Sequence, residues 1–217
     1  YSKDFPRPAA KPFRERWDSK NHGLGNQGLG NQAPGKSTSV PQLQNPKSQS
    51  SNPQSLITLF SEELIALNGE ILPVTKTELP HRLIAYLHDR GITRAQVDAA
   101  SIEYVQDPEI AVQTEASPNI TVGITEAIAG VAETGSILIT GKNRDTSSAS
   151  LLPEIHIAIL RASEIHQTLE EVLLLPEIVK SPVTSLVSGP SRTADIEMTL
   201  TIGVHGPREL IVFLVDG

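Results

Sequence analysis

Residues 188–210 read SGPSRTADIEMTLTIGVHGPREL and gather chemistry-bearing side chains into one short span. The apolar run TSLVS (184–188) ends at Ser188, and Gly189, Pro190 and Ser191 then predict a turn into a helix over about 191–200, with Ile196 and Leu200 on its apolar side. Free backbone N–H groups at such a start, the helix dipole and the forked donors of Arg192 together favour a carboxylate or phosphate. Thr193 and Asp195 would stand in the same first turn. Capping alone accounts for the Ser, Gly and Pro and for the acids Asp195 and Glu197. It does not account for Arg192, a cation at the positive end of a helix dipole unless an anion sits beside it. His205, in a turn set by Gly206 and Pro207, is the candidate for proton transfer.

A second constellation lies in GITEAIAGVAETGSILIT (123–140). Glu126 opens a short helix expected over 125–130, and Glu133, Thr134 and Gly135 precede an apolar strand. A carboxylate beside a glycine turn suits a general base or a covalent nucleophile, and equally an ordinary solvated turn residue. Lys142, Asn143 and Arg144 follow the same strand on a polar loop, where they could meet an anion. His156, inside EIHIAIL, reads as a hydrogen-bonded core residue. His22, His81, His88 and His166 read as surface residues. The spacing shows no His-x-x-x-His pair and no acidic ligand cluster, so no metal site is expected.

The elements that position these residues follow from hydrophobic periodicity. SLITLFSEELIALNG (55–69) carries a helical stripe at Leu56, Leu59, Phe60, Leu64 and Leu67, with Ser55 as cap and Gly69 as stop. ELPHRLIAYLHDRG (78–91) is a second helix. Strands are expected at 70–74, 102–106, 120–124, 136–140, 155–160, 184–188 and 210–215, with a further helix over 163–175. Several strands are apolar throughout, and strands alternate with helices. The fold class is therefore α/β, an open, mainly parallel sheet with helices on both faces. Ligands in such sheets sit beyond the carboxyl ends of the strands.

Composition sets the remaining bounds. Residues 1–54 hold seven Pro, five Gly, seven Ser and eleven Asn or Gln, including the tandem GLGNQGLGNQ. They cannot bury enough apolar surface to offset chain entropy and are expected to be a disordered tail. The body, 55–217, carries ten Lys or Arg against twenty-two Asp or Glu, whereas the tail has eight against three. An acidic body argues against nucleic acid as a ligand. The tail also holds Tyr1, Phe5, Phe13 and Trp17, half of the aromatic residues. No run approaches the ~20 apolar residues of a membrane span, and no apolar signal segment opens the sequence, so a cytoplasmic protein is expected. With no cysteine, disulfides, thiolate nucleophiles and Cys-ligated clusters are excluded within this chain.

The blocks GITEAIAGVAETGSILI, SLLPEIHIAIL and SGPSRTADIEMTLTIGVHGPREL resemble the signature blocks of the lactate-utilisation protein C family, the LUD domain, from about Leu56 to Gly217. The resemblance implies a fold similar to the sugar-phosphate isomerase and CoA-transferase group. It also implies a part in oxidising L-lactate to pyruvate beside two companion proteins that carry iron-sulfur clusters, with no cofactor in this chain. By matching residues it points to Glu133, Thr134 and Gly135, to Ser188 through Asp195, and to His205 as the pocket. Two roles stay open at this point. One is a non-redox accessory subunit that binds a small carboxylate or phosphate or holds the complex together; the other is an independent enzyme or binder for a phosphorylated or CoA-linked metabolite, with Glu133 as nucleophile or base.

Overall fold

A computed structural model describes residues 52–117, 119–141, 148–194, 200–202 and 206–216. The tail expected over 1–54 lies outside these residues as far as Ser51.

The first helix, α1 (Pro53–Ala66), starts two residues before Ser55, because Asn52 is the cap: its Oδ1 accepts from Gln54 N at 3.2 Å, and Pro53 takes the first helical position. It ends where Asn68 adopts a left-handed φ of 66° and Gly69 N donates to the Leu64 carbonyl. β1 (Glu70–Thr75) follows, then α2 (Leu79–Asp89), which buries Leu79, Leu83 and Leu87 at a four-residue spacing. Next come β2 (Arg94–Val97), a 3-10 turn (Ile102–Tyr104) and β3 (Ala111–Gln113). The chain continues through β4 (Val122–Glu126), β5 (Ala129–Val131), β6 (Ser136–Gly141), β7 (Ile155–Arg161) and β8 (Ile165–His166). Two short helices, α3 (Leu169–Leu173) and α4 (Pro176–Lys180), lead into β9 (Val183–Val187). The hairpin strands β10 (Arg192–Ala194) and β11 (Leu200–Ile202) precede β12 (Glu209–Asp216).

Six strands form one parallel sheet in the order β1-β12-β7-β4-β2-β3. β12 explains why its sequence is apolar throughout. Ile211, Phe213 and Val215 pack with α2 on one face, while Leu210, Val212 and Leu214 pack with Phe60 and Leu64 of α1 on the other. This is the expected open parallel sheet with helices on both faces. A second sheet, in the order β8-β5-β6-β9, was not expected. It shares the α1 side through Ile137 and Ile139, and its outer face holds Ala129, Val131 and Leu138 against Val172 of α3.

Four sequence expectations are corrected. Residues 102–104 form a 3-10 turn, not a strand. Residues 125–130 are not helical: Ala127 N donates to the Ile159 carbonyl and Ile128 N to that of Leu138, so pairing with neighbouring strands overrides the helix propensity of the alanines. The helix expected over 163–175 is divided by β8, which pairs with β5, and helix resumes only at the Thr168–Glu171 capping box. Residues 192–194 and 200–202 are antiparallel strands in place of a helix. The alternation of Thr with apolar residues in Thr199-Leu200-Thr201-Ile202, three of the four β-branched, is the strand signal in that segment.

Candidate functional site

The AETG turn and the SGPSR segment come together, and what they surround is the carboxyl end of α1. Gly135 has a φ of 61°, and a Cβ on it would stand 2.3 Å from Leu64 N. Gly189 has a φ of 87°, and its Cβ would stand 2.9 Å from the Leu67 carbonyl oxygen. Thr134 Oγ1 donates to Ser136 Oγ at 2.9 Å, and Ser136 Oγ lies 2.6 Å from Ser188 Oγ, linking the two blocks. Pro190 is buried, and Ser191 N donates to the Pro207 carbonyl at 2.8 Å. Glu133 Oε1 accepts from Leu169 N at 3.0 Å, at the start of α3.

The place of this cluster in the fold differs from the expected one. Pro207 and Glu154, which hold Ser191 N and Arg208 N, stand two residues before β12 and one residue before β7. The segment therefore lies beyond the amino ends of the parallel strands, opposite to the edge where such sheets bind ligands. With no helix beginning at Ser191, the dipole argument for Arg192 falls. Arg192 Nη2 instead donates to the carbonyl of Leu67, the C-cap of α1, so its charge meets the negative end of that helix. Arg192→Ala is accordingly expected to lower stability by about 1 kcal/mol, read as a shift in urea midpoint. Thr193 is in β10; Asn143, Arg144, Asp195 and His205 lie outside the described residues.

The carboxyl edge of the parallel sheet carries a different set. The link from β2 to β3 runs on the α2 face, where Tyr104, Val105 and Ile110 pack, whereas the link from β4 toward β7 runs on the α1 face through Ala127, Ile137 and Ile139. Connections thus diverge between the adjacent strands β2 and β4, the switch point at which open α/β sheets form a crevice. Asp98, just past β2, spans it: Oδ2 accepts from Glu126 N at 2.9 Å and Oδ1 from Ser101 N at 2.8 Å. Glu126 ends β4, and its Oε1 lies 2.6 Å from Nη2 of Arg161, which ends β7. Burial pushes the Glu126 carboxyl above its ordinary value; Arg161 opposes this, and the carboxylates of Asp98 and Glu103 add to it. Burial likewise raises the neighbouring Tyr104 hydroxyl. At the carboxyl ends of β4 and β7 a cleft of about 530 Å³ opens between Glu126, Ile128, Arg161, Glu164, Leu175 and Glu177. Sequence reasoning passed over Arg161 and placed Glu126 on a helix. The available signal was a charged residue closing each of the apolar runs VGITE and IHIAILR.

His156 is the core residue it was expected to be. It faces the α1 side of the sheet, fully buried, with Nε2 2.9 Å from Thr125 Oγ1 and Nδ1 without a partner among the described residues. Its register neighbour Gly123 is needed because a Cβ there would fall 1.7 Å from the Ala149 carbonyl oxygen. Burial drives the His156 pKa down to about 3. The unfolded chain, with an ordinary value near ~6.5, takes up the proton first as pH falls. The stability tied to a neutral His156 is therefore complete above about pH 6.5 and is lost on acidification, by about 3 kcal/mol at about pH 4.5. Urea unfolding at neutral and acid pH checks this: His156→Leu should flatten the pH dependence by that amount.

Comparison with known proteins gives the family context. A family model described as the LUD domain matches residues 54–215. The lactate utilization protein C of Shouchella clausii is 29% identical over 205 residues, covering 81% of this chain and 85% of that one. An uncharacterized protein of Neisseria meningitidis is 31% identical over 106 residues, 48% of this chain and 46% of its own length. The lactate utilization protein C of Macrococcus caseolyticus is 37% identical over 101 residues, 44% of each chain. The chain thus spans about half of the latter two relatives and most of the first. Among solved structures, a DUF162 family protein from Deinococcus radiodurans shares the fold, with a TM-score of 0.61 at 22% identity over 77% of this chain and 99% of that one.

Proposed function

Because this chain belongs to the LUD domain family, we propose that it serves lactate utilization in the cytoplasm as a subunit without a redox centre of its own, binding a small carboxylate such as lactate or pyruvate and working beside companion proteins that carry iron-sulfur clusters. The observation that carries this reading is the match along nearly the whole described body to the family and to a relative named for lactate utilization. The absence of cysteine supports placing the clusters on the companions.

The cleft at the carboxyl ends of β4 and β7 is the better home for the ligand than the Ser188–Asp195 segment, because Arg192 is already committed to the Leu67 carbonyl. Arg161 keeps one guanidinium nitrogen on Glu126, is 58% exposed, and has no other hydrogen bond among the described residues. Its remaining donors suit a carboxylate in the two-pronged manner of arginine. Glu126 beside it has the burial and position to hold or release a proton as the ligand enters. Among the described residues no helix is long and apolar enough to cross a membrane.

The test is reconstitution. The purified chain with L-lactate and an artificial electron acceptor is expected to show no turnover, and turnover should appear when the iron-sulfur companions from the same source are added. Lactate oxidation by this chain alone, or full turnover by the companions without it, would contradict the reading.

A further inference from the structure

The outer corner of the second sheet carries exposed leucines, as does the Leu151–Leu152 pair before β7. Leu173 and Leu174, at the end of α3, are 51% and 69% exposed, although they sit between the buried Val172 and the half-buried Leu175. α3 covers Leu138 of β6, but the same face continues to β9, where Leu186, the register partner of Leu138, is 45% exposed. Leu175 and Pro176, immediately after the two leucines, form a wall of the cleft that holds Arg161 and Glu126. Isolated apolar residues on a surface carry no message, but neighbouring large ones beside a cleft mark a contact site. The charges around them are one-sided. Glu164, Glu170, Glu171 and Glu177 stand on or near this corner, against Lys180 and Arg161, the latter already paired with Glu126.

We propose that this corner is a docking surface for a companion protein that presents basic side chains around an apolar contact, and that the companion, once docked, closes one side of the cleft. The acidic rim decides the occupant. A second copy of this chain would bring carboxylates against carboxylates, a costly arrangement, whereas a basic surface is steered toward the rim and held by the leucines. A partner seated here stands directly beside a ligand on Arg161, so docking and ligand binding support each other.

The test rests on the lactate-utilization reading only for its probe, the iron-sulfur companion proteins from the same source. Their binding to the full chain is measured by calorimetry, with Leu173→Ser/Leu174→Ser and Glu177→Lys as test variants and Ile65→Ser, on the exposed side of α1 and 58% exposed, as control. The leucine pair should weaken binding about tenfold or more with an unchanged melting temperature. Glu177→Lys should weaken it and lessen its dependence on salt, and Ile65→Ser should leave it unchanged. Unchanged binding by the leucine variant, or equal loss with Ile65→Ser, would overturn this surface while leaving the subunit reading in place. A companion that does not bind the unaltered chain would overturn both. Self-association of the unaltered chain that the leucine variant abolishes would assign the corner to a homodimer and overturn the proposal.

Discussion

Gly135→Ala is expected to destabilise the protein by about 3 kcal/mol or more. Two costs combine. A left-handed φ of 61° disfavours any side chain, and the new Cβ would meet Leu64 N at 2.3 Å and the Glu63 carbonyl carbon at 2.6 Å. Both atoms are helix backbone, so relief requires moving α1, which packs Phe60 and Leu64 into the core. Gly91 separates the two costs. It has a φ of 65° but open space around its Cβ position, so Gly91→Ala should cost only the conformational part, about 1 kcal/mol. Urea midpoints of the two variants measure the difference. Equal losses would show that α1 is not clamped against the AETG turn.

The clamp bears on what the sequence could disclose. Glu133-Thr134-Gly135 and Ser188-Gly189 are legible as special backbone from their small residues, but composition cannot distinguish a glycine that admits a ligand from one that admits a helix. Strands β1, β4, β6, β7, β9 and β12 are legible because they are short apolar runs. β2 and β3, RAQV and AVQ, are too brief and mixed to register. Which sheet a strand joins leaves no periodic trace. The rule that ligands sit beyond the carboxyl ends of parallel strands does not hold for the run ending at Ser188, because that strand, β9, pairs antiparallel with β6 in the second sheet. Applied to the parallel strands β4 and β7, the same rule reaches Glu126 and Arg161 directly.

Arg161→Ala is expected to weaken binding of small carboxylates about tenfold or more, since charge-assisted hydrogen bonds contribute on the order of 1.5 to 3 kcal/mol each. Stability should change little, because the Arg161–Glu126 pair is partly exposed, and a Glu126 left alone can protonate. A ligand carboxylate beside Glu126 adds a second negative charge to one guanidinium, which raises the Glu126 pKa further from its already elevated value. Binding should therefore take up a proton and be tighter at about pH 5.5 than at about pH 7.5. The groups facing Glu126 from neighbouring elements are Asp98, Glu103 and Tyr104 on the β2 side, Arg161 on β7, and Glu164 and Glu177 on the cleft rim. Of these, Arg161 alone lowers its pKa, so the direction is fixed. Glu126→Gln should retain binding and lose its pH dependence.

The most direct test is a calorimetric titration of L-lactate and pyruvate into the full chain, in two buffers of different ionisation enthalpy, with Arg161→Ala and Arg192→Ala alongside. Saturable binding with proton uptake, lost in Arg161→Ala and kept in Arg192→Ala, is the predicted result. Binding that survives Arg161→Ala but disappears with Arg192→Ala would contradict it and return the ligand to the Ser188–Asp195 segment.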